Sequence, residues 1–237
     1  MINGNLACFS KRVTERIGRF SDSYRTDGVA GIVRRFTHHM DWLRSYRQRD
    51  TEFDRAFGVD TKGPIELWRL RIRSSNARYA TRYEGVDPST LERALANIHE
   101  EFQNFTFIDL GCGKGRALLL ASRYGFSRLI GVEFAPKLVE TTKLNCERLN
   151  VPATVVAGDA AEFRFPPVNL VTYLFNPFGP EVLNPVLDNL LTAQTGVRYV
   201  VYINPKHSKC LEDRTGMHCV AGEMNYEVWK VLEPSPA

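Results

Sequence analysis

From Phe105 onward, short apolar runs alternate with segments whose apolar residues recur at three- and four-residue steps. The runs predict strands over Thr106–Leu110, Arg128–Phe134, Ala153–Ala157, Leu170–Phe175 and Arg198–Ile203. The intervening segments predict helices over Lys114–Tyr124, Pro136–Leu149 and near Glu181–Leu191. Two further β-type runs, Met217–Ala221 and Tyr226–Leu232, flank the turn-like Gly222-Glu223-Met224-Asn225. Strands alternating with helices imply a parallel sheet covered on both faces, and a closing hairpin adds an antiparallel edge. Upstream, Asp87-Pro88-Ser89-Thr90 reads as a helix start. Asp87 can accept from free backbone N–H groups there, and Pro88 suits the first helical position. Leu91, Leu95, Ile98 and Phe102 continue one apolar face of that helix.

The first part of the chain has a different texture. Val29, Ile32, Val33, Phe36, Met40, Leu43 and Tyr46 form an apolar stripe at helical spacing. Arg34, Arg35, Arg44, Arg47 and Arg49 lie largely on the other side. This arrangement fits a packed helix with a solvated basic face better than a nucleic-acid-binding arm. Asp60-Thr61-Lys62-Gly63-Pro64 is a turn-rich break. Residues 1–74 are therefore expected to be a basic helical extension, and residues 75–237 an α/β domain.

Composition narrows the class without naming it. The 237 residues carry a net charge of +4, and the excess sits mostly in the N-terminal part, so the α/β core does not demand nucleic acid. The five cysteines are scattered and form no Cys-x-x-Cys pair, which predicts free thiols and a cytoplasmic setting. The opening residues lack the charged-then-apolar pattern of a signal peptide, and no apolar run reaches membrane-spanning length. His207, Cys210, His218 and Cys219 match no standard zinc spacing, so no metal site is expected.

The chemistry concentrates in Phe107-Ile108-Asp109-Leu110-Gly111-Cys112-Gly113-Lys114-Gly115-Arg116. A strand closes on an acid, and a turn follows in which Gly111, Gly113 and Gly115 tolerate φ > 0 and bare the backbone. The dinucleotide pattern Gly-x-Gly-x-x-Gly fits neither register, because Arg116 and Leu118 stand where its last glycine belongs. The stretch instead resembles the first motif of the class I S-adenosylmethionine (SAM) methyltransferases, acid-x-Gly-x-Gly-x-Gly. The likeness extends over roughly residues 75–233. It implies an α/β, Rossmann-like, mostly parallel seven-stranded sheet with helices on both faces, preceded here by the helical extension.

The resemblance assigns roles. Asp109 and Gly111 would hold the methionine part of SAM, and Gly113 and Gly115 would let the backbone fold under the cofactor. Glu133, at the end of Ile130-Gly131-Val132-Glu133, has the spacing of a ribose-binding acid. Asp159, after the third strand, stands where this family commonly accepts from the adenine amino group; otherwise it is a turn or helix cap. Phe134 and Ala160 could flank the adenine ring.

The fourth strand ends in Asn176-Pro177-Phe178-Gly179, which resembles the Asn/Asp-Pro-Pro-Tyr/Phe motif of methyltransferases acting on nitrogen. There the Asn oxygen and a backbone carbonyl accept from the substrate N–H groups, and the aromatic packs on the substrate. One proline is missing here, which leaves the substrate class open. Tyr79 and Tyr83 loosely resemble the site-closing aromatics of protein-lysine methyltransferases.

The expected activity is methyl transfer from SAM to an acceptor nitrogen. A protein lysine or a small molecule is favoured, with no membrane partner. RNA or DNA methylation, or SAM binding without catalysis, are the alternatives.

Overall fold

Buried strands declare themselves by being apolar on both sides, and those in the middle of this sheet do so. The computed structural model describes residues 50–63, 65, 83–192 and 196–232. The Val29–Tyr46 stripe, its arginine cluster, Tyr79 and the expected boundary at residue 74 lie outside the described residues. The strands are β1 (Thr106–Leu110), β2 (Arg128–Glu133), β3 (Ala153–Ala157), β4 (Leu170–Phe175), β5 (Arg198–Ile203), β6 (Met217–Glu223) and β7 (Tyr226–Val231). Residues 50–57 are helical (α1). The other helices are α2 (Pro88–Ala96), α3 (Arg116–Ala121), α4 (Pro136–Arg148), α5 (Pro180–Thr192) and α6 (Lys209–Glu212).

One seven-stranded sheet runs in the order β3-β2-β1-β4-β5-β7-β6. The first five strands in that order are parallel, and β7 is antiparallel to both β5 and β6. The chain moves outward from β1 to β3, then returns to the other side of β1 to form β4. That reversal opens a crevice at the carboxyl ends of β1 and β4, the usual ligand position in such sheets.

The two-residue period of the strands sorts the core into two layers. Phe107, Val171, Tyr173, Tyr199 and Val201 pack with buried residues of α2, α3 and α4. Ile108, Leu110, Leu170, Leu174, Val200 and Tyr202 pack on the opposite face with Val182, Leu183, Val186, Leu187 and Leu190 of α5 and Leu211 of α6. Asp109 belongs by register to the first layer, where its β4 neighbour is Tyr173.

Several local expectations are revised. The helix after the glycine turn begins at Arg116, because Gly115 is its N-cap at φ +85°, and it tightens into a 3-10 turn at Ser122–Tyr124. The helix from Pro88 stops at Ala96, so Ile98 and Phe102 are not on its face; Phe102 opens a 3-10 turn and stacks on Phe126 at 4.5 Å. The Asp87 carboxylate accepts from the hydroxyls of Ser89 (2.5 Å) and Thr90 (3.4 Å) instead of a backbone N–H. β6 runs on to Glu223 with a register shift between Cys219 and Ala221, which leaves only Met224-Asn225 as the turn. Among the described residues, no helix is long and apolar enough to cross a membrane.

Candidate active site

The turn after β1 is pinned from three sides. Gly111 and Cys112 donate their backbone N–H groups to the Val132 carbonyl at 2.9 and 3.0 Å. Gly113 donates to Glu133 Oε2 at 2.9 Å, and its carbonyl accepts from Thr142 Oγ1 of α4 at 2.6 Å. Gly111, Gly113 and Gly115 all adopt left-handed φ, at +77°, +57° and +85°. This chain itself covers part of the bared backbone. A Cβ on Gly111 would sit 2.7 Å from Pro177 Cβ, and one on Gly113 would clash with the Tyr83 ring edge, 2.2 Å from Cδ2 and 2.3 Å from Cε2. The glycines thus serve close packing by Pro177 and Tyr83 as well as the approach of a ligand.

Asp109 is 3% exposed, and among the described residues its carboxylate makes no hydrogen bond. Burial, and then the neighbouring Glu133 charge, hold its pKa well above the usual carboxylate range. A buried carboxylate without a partner is costly, and a cationic ligand would relieve that cost. Glu133 is also buried, and its pKa is raised by burial against three lowering backbone bonds. Its Oε2 accepts from Gly113 and its Oε1 from Ala135 N–H at 2.9 Å. With a third backbone bond from Phe134, about one of its four lone-pair sites stays open.

Two clefts meet at Gly111. One, with about 360 Å³ of empty space, is walled by Val132, Phe134, Ala160, Pro177, Phe178 and Val182, with Gly158 and Asp159 at its rim. Its walls are predominantly apolar. The other, about 250 Å³, is lined by Tyr83, Glu84, Asp109, Arg116, Tyr173 and Phe175 among others. Asp109, Gly111, Asp159, Ala160, Pro177 and Phe178 all face this pair of clefts. Gly113, Gly115 and Glu133 build the turn behind it.

Asp159 has both roles the sequence offered within reach. It lines the apolar cleft, and its Oδ1 accepts from Ala161 N–H at 2.9 Å to cap a 3-10 turn. Asn176 is different. It follows β4 directly at φ +40°, is 3% exposed, and its Oδ1 accepts from Tyr202 at 3.2 Å. The Tyr202 hydroxyl receives backbone N–H groups from Lys206 and His207, so its own proton goes to Asn176. That fixes the carboxamide with its oxygen toward β5. Burial pushes Tyr202 up to about 12, so the proton stays in place.

Sequence reasoning missed the surroundings of Arg116. Its guanidinium is 3% exposed and pairs with Asp50, approaches Asp54 at 3.6 Å, and donates from Nε to Thr61 Oγ1 at 2.8 Å. Lys114 donates to Asp60 Oδ1 (2.7 Å) and the Lys62 carbonyl (2.9 Å). A signal was available. Arg116 opens a helix whose next five residues, Ala117–Ala121, are apolar, so it had to be buried and therefore paired.

Similarity to known proteins agrees with this geometry. Residues 107–193 match the family model described as a methyltransferase domain. A ribosomal protein L11 methyltransferase of Colwellia psychrerythraea is 29% identical over 102 residues, which cover 41% of this chain and 35% of that protein. A protein-lysine N-methyltransferase of Saccharolobus islandicus is 27% identical over 151 residues, 60% of this chain and 88% of that protein. The chain thus spans about a third of the first relative and most of the second. The structure of a proposed RNA methyltransferase from Pyrococcus horikoshii shares the fold, with TM-score 0.53 and 17% identity over 79% of this chain and 98% of that one. Residues 107–193 thus carry a methyltransferase domain, set in a β3-β2-β1-β4-β5-β7-β6 sheet, and the chain is similar to SAM-dependent methyltransferases.

Proposed function

We propose that this chain transfers the methyl group of SAM to a nitrogen of a protein acceptor, with the lysine side chain the first to test. The observation that carries the cofactor half is Asp109, a buried carboxylate with no hydrogen-bond partner among the described residues, beside a left-handed glycine turn. The residues fit the group. Asp109 would accept from the methionine ammonium, and Glu133 would use its remaining acceptor site for the ribose. Val132, Phe134, Ala160 and Phe178 would sandwich the adenine, with Asp159 accepting from its amino group. Both curated relatives are named for protein acceptors, which supports a protein over a nucleic acid.

SAM supplies a methyl carbon made electrophilic by its sulfonium, so the chain need not provide a covalent nucleophile. Its own work is to hold an acceptor in line and keep water out. Pro177, which walls the apolar cleft beside Gly111, would pack against the acceptor, with Phe178 backing the adenine. Asn176 would position that segment through its bond to Tyr202. An amine acceptor must shed a proton before it attacks.

The test is incubation of the purified chain with methyl-labelled SAM in a lysate of its native host, followed by fractionation and hydrolysis. Label recovered as methyl-lysine from the protein fraction is expected. Label in nucleic acid or small molecules would overturn the acceptor. No label anywhere, with SAM still bound, would mean a binding module without catalysis.

A further inference from the structure

Tyr83 is fixed over the glycine turn by residues that the cofactor reading does not use. Its ring occupies the space a Cβ on Gly113 would need. Its hydroxyl donates to the Thr61 carbonyl at 2.6 Å, and its backbone pairs with Ile65 through two bonds of 3.2 Å. Thr61 is itself immobilised. Its N–H donates to both Asp54 oxygens at 3.0 and 2.9 Å, and its hydroxyl donates to Asp54 Oδ1 at 2.6 Å. The same hydroxyl oxygen accepts from Arg116 Nε. Arg116 also pairs with Asp50, so the chain of contacts returns to the residue right after Gly115.

Asp50, Asp54 and Arg116 are 2%, 8% and 3% exposed. A buried ionic cluster gives little net stability over apolar packing of the same volume. Its physical use is to define geometry. What it defines here is one wall of the polar cleft. Tyr83, Glu84, Gly85 and Val86 line that cleft together with Asp109. The apolar cleft on the other side of Gly111 is built by different residues.

We propose that Tyr83 is a positioning residue for the amino-acid half of the cofactor. Anchored through Thr61 to Asp54 and Arg116, it fixes the wall of the Asp109 pocket and shields that carboxylate from water. The adenosine half is recognised independently. This rests on the SAM reading above, and it separates the two halves of the ligand in a way that reading does not require.

The experiment is calorimetric titration of the full chain and of its Tyr83→Phe and Tyr83→Leu variants. The ligands are SAM, S-adenosylhomocysteine and 5′-methylthioadenosine, which lacks the amino-acid half. Tyr83→Phe deletes one hydrogen bond and should weaken the first two ligands by about three- to tenfold. Tyr83→Leu should weaken them further, while 5′-methylthioadenosine stays within about twofold in both variants. Equal losses for all three ligands would mean a merely structural role and overturn the proposal, as would unchanged affinity for SAM. If Tyr83→Leu fails to fold, Tyr83→Phe alone decides. A wild-type chain that binds 5′-methylthioadenosine but not SAM overturns the proposal while leaving an adenosine site. A wild-type chain that binds neither sinks the cofactor reading itself.

Discussion

Asp109 carries the largest electrostatic cost at the candidate site. Its folded pKa is raised, so the folded chain holds the proton more tightly than the unfolded chain does. The resulting stability is fully present below the ordinary value of 3.8 and is lost as pH rises through the raised folded value. The free protein is therefore expected to lose stability over that window, measured by thermal unfolding across pH. The groups around Asp109 include Glu133 from β2, Cys112 from the turn, and Glu84 and Arg116 on the cleft wall. Glu133 is raised too and contributes with the same sign. Cation binding runs the other way: SAM affinity should rise with pH through the same window, because only the ionised carboxylate attracts an ammonium. Asp109→Asn separates the two effects. It should raise the unfolding midpoint of the free protein and abolish SAM binding; a variant that binds SAM like the wild type would remove Asp109 from the site. Gly113→Ala is predicted to cost about 1–2 kcal/mol from left-handed strain alone, and more once the Tyr83 ring is displaced. Urea denaturation reads that loss as a lower midpoint.

At the scale of elements, the central strands were legible because burial leaves so little choice. β1, β4 and β5 form over the predicted residues, since each is a short, mostly buried apolar run bounded by turn formers or a charge, and the partly exposed edge strand β3 keeps its predicted bounds as well. The glycine turn was legible because φ > 0 excludes most side chains, and all three of its glycines use that freedom. α6 escaped because four residues carry no period. The contacts of α1 and residues 58–63 escaped for another reason. Asp50 and Arg116 are 66 positions apart, and nothing local in either segment announces that they meet. In the sequence, residues 60–64 read only as a turn-rich break inside the N-terminal extension. Residues 60–62 instead pack on the glycine turn, through Asp60 and Lys62 to Lys114 and through Thr61 to Arg116. Asp50→Ala leaves a buried guanidinium short of a partner, and it should cost about 3–5 kcal/mol, measured by denaturant unfolding. A loss below about 1 kcal/mol, the range of an exposed pair, would mean that this pair is solvated in solution.

At the scale of the molecule, the strand order decides where chemistry can occur. β1 and β4 lie side by side at the reversal point, so Asp109 with its glycine turn and Asn176-Pro177-Phe178 arrive at the same end of the sheet from distant parts of the sequence. Gly111 lies against Pro177, so the glycine turn and the Asn176-Pro177-Phe178 segment share a boundary. The two clefts on either side of that boundary differ in character, one apolar and one lined by carboxylates, as a ligand with an adenine end and an ammonium end requires. The missing second proline after Asn176 was visible in the sequence. The engagement of the Asn176 oxygen by Tyr202 was not, because it depends on how β5 and its following loop pack beside β4.

The most direct measurement is a crystal structure of the chain bound to S-adenosylhomocysteine. The account predicts adenine between Phe134, Ala160 and Phe178, the ribose hydroxyls at Glu133, and the amino group within hydrogen-bonding distance of Asp109. Density for the ligand anywhere else, or an amino group turned away from Asp109, would contradict it.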